Sequence, residues 1–382
     1  MKIPYLLSII VMAFLGCNSA EKQQEKNTPQ SAPTDLSTKI DYATGFNVKY
    51  ENGYKWVEIP RPYQEAKEGF KYLLVQKGQD IPEHDVSVQV ISIPLETIIC
   101  TSTSHIPLLD YLNETEKLIG FPSTQYISSS NARKLIDAGK VTELGIDSKM
   151  NIEKVIELDA EMVMGYSITG DYGQFRKLQQ AGIPVVINAE YIEEHPLGRA
   201  EWIKFMALFF NKEKMADSVF NEIKYNYLKL KNATDTISSR PTVYSGVVYG
   251  DAWFLPGGQN NMAKLFKDAG AKYLWSEDNS TGYLEYSFES VYEKAHNADF
   301  WVGVASYNSL EEIKQADKRY TDFEAFQNGN VYSYNARMGP TGGNEFLELG
   351  YLRPDLILED LIKIFHPELL EDEELYFHRK VE

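Results

Sequence analysis

A short polar segment follows an apolar stretch that predicts a buried strand over Thr97 to Thr101. Four polar residues come directly after this stretch: Ser102, Thr103, Ser104 and His105. Their hydroxyl groups, and the backbone N–H groups at the start of the next helix, can hydrogen-bond the polar rim of a ligand. Capping of that helix by Ser104 explains the same residues equally well, so both interpretations stay open. A metal site at His105 is less favoured, because no second His or carboxylate lies at ligand spacing.

Aromatic residues follow several other predicted strands, in a chain with 25 Tyr, 18 Phe and 5 Trp. Aromatic walls suit a large flat macrocycle or a catechol-rich complex, with a few cations if that ligand is anionic. Open α/β sheets bind ligands beyond the carboxyl ends of their strands. We therefore interpret six further residues as ligand contacts: Phe121, Tyr126, Tyr166, Tyr249, Trp253 and Arg337. The alternative is that many of these aromatic residues belong to the core, which we favour for Trp275.

Motifs of the common catalytic classes are missing from the sequence. It contains no Gly-x-Ser-x-Gly nucleophile elbow, no Walker A sequence, no dinucleotide fingerprint and no His-Glu-x-x-His. Carboxylates are numerous, but nothing selects a glycosidase pair among them. We expect a protein that is not an enzyme and holds no cofactor. A lipid-anchored extracytoplasmic hydrolase is the alternative from another class, and a surface adhesin is a third, supported only by a β-rich N-terminal stretch.

Strand and helix patterns place the candidate residues on an α/β framework. Between Ile40 and Pro94 the sequence predicts short β-strands, and after Thr97 strands alternate with helices. Such alternation is typical of a mainly parallel sheet with crossover helices. The longest helical pattern runs from Arg199 to Lys231 and is interrupted at Asn211. The helix that starts at Lys212 would have about 20 residues and a length of ~30 Å, enough to extend from one lobe to another.

Composition excludes several classes of partner. The chain has 382 residues, of which 55 are acidic and 38 basic, with a net charge of −17. Clustered Lys and Arg are needed to bind phosphate groups, so we expect neither nucleic acid nor an anionic membrane surface as a partner. Two cysteines cannot form a disulfide framework, and Cys100 is predicted to be a buried strand residue. Six histidines leave little material for a structural zinc site.

The first residues indicate export from the cytoplasm. The apolar run from Tyr5 to Leu15 is too short to span a bilayer and has the proportions of a secretory signal. It leads into a segment that resembles a bacterial lipobox ending at Cys17, with Phe14 where Leu is usual. The resemblance implies that residues 1–16 are removed and that Cys17 carries a lipid. A plain signal peptide with an incidental cysteine is the alternative.

Eight short segments from Val86 onward carry a family resemblance through their order and spacing, although none is a strong motif alone. They are Ile99 to His105, Leu118 to Phe121, Leu144-Gly145 before Asn151 to Val155, Lys177 to Val186, Lys212 to Ala216, Trp253 to Gly258, Lys267 to Ala271, and Phe288-Glu289. Together they resemble the substrate-binding proteins of ABC importers for iron–siderophore complexes, cobalamin and haem. The resemblance implies the class III periplasmic binding protein fold, in which two Rossmann-like α/β lobes are joined by a single long rigid helix and the ligand lies between them.

The same resemblance implies a function and partners. The chain would be a monomeric, lipid-anchored periplasmic protein that captures an iron(III)–siderophore complex, or alternatively cobalamin or haem, and delivers it to an ABC permease dimer. The side of the cell envelope that holds the anchor is not assigned. Glu153 and Glu289, one in each lobe, would dock with arginines of the two permease subunits. The alternative is that each carboxylate only complements the positive end of a short helix, worth ~0.3–1 kcal/mol.

The expected domain organisation follows from these patterns and the resemblance. Its boundaries are 1–16 for the signal peptide, 17–39 for the lipidated cysteine and a flexible tether, 40–198 for the N-terminal lobe with its β-rich extension, 199–232 for the connecting helices and 233–382 for the C-terminal lobe. The polar composition of the tether cannot bury enough surface to fold. Two stretches are unlike the family, Ile40 to Ile81 and Gly342 to Gly350, and the sequence assigns them no role.

Overall fold

The structure of the protein, a computed structural model, describes residues 37–370 and 374–382. The predicted signal peptide, Cys17 and most of the predicted tether lie outside these residues. The end of the predicted tether is bound to the fold, since Thr38 Oγ1 donates to Asp217 Oδ1 at 2.7 Å and Lys204 Nζ donates to the Lys39 carbonyl at 2.6 Å. Thr38 and Lys39, at the end of the predicted tether, thus have partners in the connecting helices.

A four-stranded sheet precedes the two lobes and corresponds to the β-rich extension. Its strands are β1 (Asn47–Glu51), β2 (Tyr54–Ile59), β3 (Phe70–Gln76) and β4 (Gln89–Ile93), in that order across the sheet. β1, β2 and β3 pair antiparallel, whereas β3 and β4 pair parallel. The Tyr72 hydroxyl accepts a hydrogen bond from the Ile187 N–H at 3.0 Å, which ties this sheet to the N-terminal lobe.

The N-terminal lobe contains a parallel sheet of five strands, as the alternation of strands and helices predicts. The strands are β5 (Ile98–Cys100), β6 (Leu118–Phe121), β7 (Thr142–Glu143), β8 (Val163–Gly165) and β9 (Val185–Ile187). The helices are α1 (His105–Tyr111), α2 (Ser130–Asp137), α3 (Ile152–Leu158) and α4 (Gly173–Gln180). The strand order is β7-β6-β5-β8-β9, so the direction of winding reverses between β5 and β8. Cys100 is buried in β5, as predicted.

Two helices connect the lobes, α5 (Pro196–Leu208) and α6 (Glu213–Thr234). Asn211 adopts a positive φ of 55° between them, which confirms the predicted interruption. The 22 residues of α6 span ~33 Å. Toward its C-terminal end, Tyr227 donates to Asp268 Oδ2 at 2.7 Å and Lys231 pairs with the same carboxylate at 2.9 Å. These contacts fix the long helix to the C-terminal lobe.

The C-terminal lobe has a five-stranded sheet and a smaller antiparallel sheet. Its strands are β10 (Thr242–Tyr244), β11 (Val247–Tyr249), β12 (Ala252–Pro256), β13 (Lys272–Tyr273), β14 (Tyr283–Tyr286), β15 (Phe300–Val302), β16 (Val331–Ser333) and β17 (Arg379–Lys380). Its helices are α7 (Asn261–Asp268), α8 (Phe288–Ala295), α9 (Leu310–Ala316), α10 (Glu324–Gln327), α11 (Glu345–Leu349) and α12 (Pro354–Phe365). The main sheet has the order β13-β10-β15-β16-β17, parallel except for β17, and the smaller sheet has the order β11-β12-β14.

The stretch from Thr242 to Tyr249 forms two short strands, β10 and β11, with a break between them. Gly246 lies at the break with a φ of 83°, and a Cβ there would lie 1.8 Å from the Phe254 carbonyl oxygen. Only glycine allows this approach of the two backbones. The break sends β11 out of the main sheet and into the smaller sheet, whose residues reach the space between the lobes.

The architecture is thus two Rossmann-like α/β lobes joined by the long helix α6, with a cleft between the lobes. Contacts also cross the cleft away from this helix, because Gln64 Nε2 donates to Thr281 Oγ1 at 2.9 Å and Lys264 pairs with Glu194 at 3.1 Å. No helix among residues 37–370 and 374–382 has the length and apolar character that crossing a membrane requires.

Candidate functional site

The cleft between the lobes holds two adjoining cavities, each of about 540 Å³. Met262, Tyr283 and Leu347 line both of them. One cavity lies at the carboxyl ends of β5, β8 and β9 and is called the polar cavity. The other lies at the carboxyl ends of β10, β15 and β16 and is called the apolar cavity. In each lobe the winding of the sheet reverses at this place, which is where open α/β sheets bind ligands.

The floor of the polar cavity is a chain of hydrogen bonds that joins the ends of β5 and β9. The Ser102 and Ser104 hydroxyl oxygens are 2.7 Å apart, and Ser104 Oγ donates to Glu190 Oε1. The Glu190 N–H donates to Asn188 Oδ1 at 3.0 Å. Glu190 is only 4% exposed, yet its side chain lines the cavity. A ligand in this cavity therefore meets a buried carboxyl group.

Burial changes the ionisation of two groups on this floor. It raises the pKa of Glu190 to about 7, against the opposite effects of hydrogen bonds from Ser104 and Asn188 and of the Arg199 charge. Burial also lowers the pKa of His105 to about 3, so its imidazole is neutral near pH 7. Within the described ranges the Nδ1 atom of His105 has no hydrogen-bond partner.

Arg199 is the basic side chain of the polar cavity, and contacts within the protein hold it in place. Its Nε donates to the Glu193 carbonyl at 3.2 Å and its Nη2 donates to the Tyr191 carbonyl at 2.8 Å. The guanidinium lies 4.8 Å from the centre of the Tyr351 ring, in a cation–π contact. The Glu193 carboxylate is also engaged, because it accepts from the N–H groups of Thr44 and Gly45.

Tyrosines dominate the walls of both cavities. Six of them line the cleft: Tyr166, Tyr191, Tyr249, Tyr283, Tyr334 and Tyr351. Tyr166 donates to Asp147 Oδ2 at 3.1 Å and Tyr191 donates to the Ser167 carbonyl at 2.9 Å, which fixes these two rings. Tyr283 is 70% exposed and stands where the two cavities meet. The walls can hold a large ligand with flat or apolar faces.

Five residues expected from the sequence to contact a ligand line the cleft. Ser102, Ser104, His105 and Tyr166 line the polar cavity, and Tyr249 lines the apolar cavity. Thr103 belongs to the same turn but is not among the lining residues. Of the two interpretations left open for Ser104, capping of α1 is wrong, because its hydroxyl bonds Glu190 and makes no cap hydrogen bond.

Four other expected contacts lie elsewhere. Trp253 is completely buried, because its indole packs against Trp301 and Tyr320, and its Nε1 donates to the Ser245 carbonyl at 3.0 Å. Phe121 is 2% exposed and also belongs to the core. Tyr126 is exposed but outside both cavities, and Arg337 stacks 4.1 Å from the centre of the Tyr376 ring, also outside them. Trp275 is a core residue, which is the interpretation that we favoured from the sequence.

Several cleft residues were missed in the sequence. Asn188, Glu190 and Tyr191 lie at or just beyond the end of β9, where the strand-end rule used for Ser102 would have found them. Arg199 is on a helix and Tyr283 is on a strand of the smaller sheet, so no local pattern placed them in the cleft. Within the described residues, no three or more His, Cys, Asp or Glu side chains are grouped to hold a metal ion.

Glu153 and Glu289 occupy equivalent, exposed positions in the first turns of α3 and α8. The Asn151 side chain caps α3 by accepting from the Lys154 N–H at 3.0 Å. Ser287 caps α8 in the same manner. Glu289 pairs with Arg319 at 3.0 Å on the surface. The helices α3 and α8 therefore begin in the same way in the two lobes.

Comparison with known proteins identifies the family. The family model described as "Periplasmic binding protein" matches residues 98–338. The chain belongs to the periplasmic binding protein family. This periplasmic binding protein is 28% identical to an uncharacterized lipoprotein of Methanocaldococcus jannaschii, in an alignment that covers 98% of this chain and 95% of the relative. A second uncharacterized lipoprotein of that organism is 25% identical, with 99% of each chain covered.

Solved structures share the fold at low sequence identity. A possible iron-binding periplasmic solute-binding protein of Staphylococcus epidermidis has a TM-score of 0.55 and 17% identity, covering 71% of this chain and 99% of that chain. The periplasmic haem-binding protein HutB of Vibrio cholerae has a TM-score of 0.54 and 16% identity, covering 69% and 99%. IsdE of Staphylococcus aureus, solved with haem, has a TM-score of 0.52 and 17% identity, covering 71% and 98%.

Proposed function

We propose that this periplasmic binding protein is the substrate-binding component of an ABC importer and that it captures an iron(III)–siderophore-like complex. The observation that carries the proposal is the tyrosine-lined cleft, in which two cavities of about 540 Å³ meet at the strand ends of both lobes. Cavities of this size enclose ligands larger than a metal ion or an amino acid. The apolar cavity can hold the bulk of such a complex, and the hydrogen-bonding groups on the floor of the polar cavity can bind its polar edges.

Haem is the second candidate ligand, with cobalamin in the same role as a further alternative. The Vibrio cholerae and Staphylococcus aureus proteins of similar fold bind haem. Aromatic walls would also accept a flat macrocycle. The Staphylococcus epidermidis protein, described as possibly iron-binding, supports an iron-containing ligand in general.

The proposal includes a location and a partner. Cys17 would carry the lipid that anchors the protein at the periplasmic side of a membrane, and the lipoprotein names of the two Methanocaldococcus jannaschii relatives support this. The monomer would dock on a permease dimer through Glu153 and Glu289, whose exposed positions in the two lobes suit a partner with two similar subunits.

Ligand quenching of tryptophan fluorescence tests the proposal. Purified protein is titrated with a ferric trihydroxamate, a ferric catecholate, haemin and cyanocobalamin, and we expect saturable quenching by one of them at micromolar concentration. Tyr283→Ala should weaken binding, because this ring stands at the junction of the cavities. Tyr225→Ala is the matched control, since Tyr225 has a similar exposure (67% against 70%) but lies on α6. No quenching by any of the four compounds would contradict the proposal.

A further inference from the structure

The charges of the cleft are distributed unevenly between its two cavities. Besides tyrosines, the only ionisable side chain that lines the apolar cavity among the described residues is His378, whose Nδ1 lies 3.1 Å from Asp360 Oδ2. The polar cavity has Glu190, Glu193, Arg199 and His105. Any charged group of a ligand is therefore recognised at the polar cavity.

Contacts within the protein already use part of the hydrogen-bonding capacity of Arg199, the cation of the polar cavity. Two of the Arg199 donor groups are used on backbone carbonyls, and the face of its guanidinium lies over the Tyr351 ring. No lysine lines either cavity in the part of the chain that the structure describes. Among the described residues that line the cavities, Arg199 is thus the only Lys or Arg that an anionic ligand could reach, and part of its hydrogen-bonding capacity is already used.

Glu190 differs from the other carboxyl group of the polar cavity, Glu193, which accepts hydrogen bonds from backbone N–H groups. Glu190 is 4% exposed and lines the cavity, and its hydrogen-bond partners Ser104 and Asn188 are neutral. A buried carboxylate without a cation in contact is costly, and that cost is why its pKa lies near 7. A cation placed in the cavity would remove most of this cost, because opposite charges attract strongly where water is excluded.

We infer that the ligand presents an ammonium group to Glu190, while its bulk fills the apolar cavity. The inference rests on the proposed function and narrows it to ferric complexes with a positively charged amine end. Ser102 and Ser104 hold the carboxyl group in position, and Glu190 is the residue that determines the preference for the charge of the ligand. Tris-catecholate complexes and other strongly anionic complexes are disfavoured.

A set of matched ligands isolates the charge of the end group. The probes are a linear ferric trihydroxamate with a free ammonium end, its N-acetylated form and its N-succinylated form, which share one metal centre and differ by one charge at each step. At about pH 8 we expect the ammonium form to bind at least about tenfold more tightly than the acetylated form. The succinylated form should bind most weakly. Affinities are measured by tryptophan quenching and by calorimetry.

The variant Glu190→Gln tests whether Glu190 causes the preference for the ammonium form. It keeps the shape of the side chain and removes the charge, so the ammonium and acetylated forms should bind within about threefold of each other. Glu157→Gln is the matched control, because this carboxylate of the same lobe is exposed on α3, outside both cavities, and should leave the preference unchanged. If Glu190→Gln does not fold, the ligand series on the wild-type protein decides on its own.

The outcomes separate the inference from the proposed function. Equal or tighter binding of the acetylated or succinylated form, or selective binding of haemin, the catecholate complex or cobalamin, would overturn the ammonium inference and leave the function of substrate binding standing. Failure of every complex to bind would count against the proposed function itself.

Discussion

The carboxylate of Glu348 in the C-terminal lobe accepts hydrogen bonds from two backbone N–H groups of the N-terminal lobe. The distances are 2.5 Å to Ser128 N and 2.8 Å to Ser129 N, at the start of α2. Thr341 Oγ1 also donates to the Gln125 carbonyl, at 2.7 Å. The stretch from Gly342 to Gly350, to which the sequence assigned no role, thus contributes a further connection between the lobes besides α6.

Removal of the Glu348 hydrogen bonds should allow the two lobes to separate more easily. Glu348→Leu leaves the N–H groups of Ser128 and Ser129 without their acceptor, at a cost of about 1–3 kcal/mol. We expect faster ligand dissociation and faster hydrogen exchange at these two amides. Glu345→Leu is the control on the same helix, because Glu345 accepts from Tyr376 within its own lobe. Equal dissociation rates for the two variants would refute the role of the connection.

The stability of the protein should fall as pH rises through neutrality, in part because of Glu190. Burial raises the pKa of both Glu190 and Glu348 from 4.5 to about 7. The folded state then binds these protons more tightly than the unfolded state. Their contribution to the free energy of unfolding is complete below pH 4.5 and is lost as pH rises through 7.

Denaturant unfolding between about pH 4.5 and 8 checks this dependence. For Glu190→Gln the loss of stability with pH should be smaller than for wild type, by up to about 3 kcal/mol. Glu157→Gln, at an exposed site on α3, should follow the wild-type curve. A Glu190→Gln curve parallel to wild type would show that this carboxyl group does not titrate differently on folding.

Lys55 should be essential for the stability of the junction between α5 and α6. Its Nζ pairs with the buried Glu213 at 2.5 Å and donates to the Leu208 carbonyl and to Asn211 Oδ1 at 2.7 and 2.8 Å. Lys55→Met should cost about 3–5 kcal/mol, because it leaves the Glu213 carboxylate buried without a cation.

Two further variants complete this experiment. The double variant Lys55→Met with Glu213→Leu should regain most of the stability, since no charge is then buried. Lys71→Met should change the free energy of unfolding by less than about 1 kcal/mol, as its pairing with Glu58 is exposed and 3.9 Å long. A small effect of Lys55→Met would mean that water reaches Glu213.

The permease-docking proposal is tested by reversing charge in both lobes. Glu153→Arg with Glu289→Arg should bind ligand normally, stay folded and fail to support uptake, because rim charges govern encounter and register with a partner. The control is Glu222→Arg with Glu324→Arg, which makes the same change of charge at exposed sites on α6 and α10. Normal transport by the first double variant would leave both glutamates as residues that only complement helix ends.

The anchor proposal is tested at Cys17. Cys17→Ser should release the protein from membranes or leave its signal peptide uncleaved, with ligand affinity unchanged because the residues that line the cleft lie between Gln64 and His378. Membrane fractionation and mass measurement of the mature N-terminus are the assays. Wild-type partitioning of the serine variant would exclude the lipobox.

Local patterns in the sequence determined the framework of this protein. The alternation of strands and helices predicted the parallel sheet of the N-terminal lobe, and Asn211 marked the start of the connecting helix. The rule that ligands bind at strand ends located Ser102 and His105 in the cleft. These predictions succeeded because helical periodicity, strand alternation and positive φ values depend on neighbours along the chain.

Only the tertiary structure decided which strand ends meet and which side chains turn inward. Trp253 follows the same kind of sequence pattern as Tyr249, but its indole lies on the face of β12 that packs against Trp301 and Tyr320, and this packing buries it. Glu190 becomes the anion of the cleft because Ser104, 86 residues earlier, donates to it from another strand end. Such contacts depend on long-range packing and on the water it excludes, and these are not encoded in any local stretch of sequence.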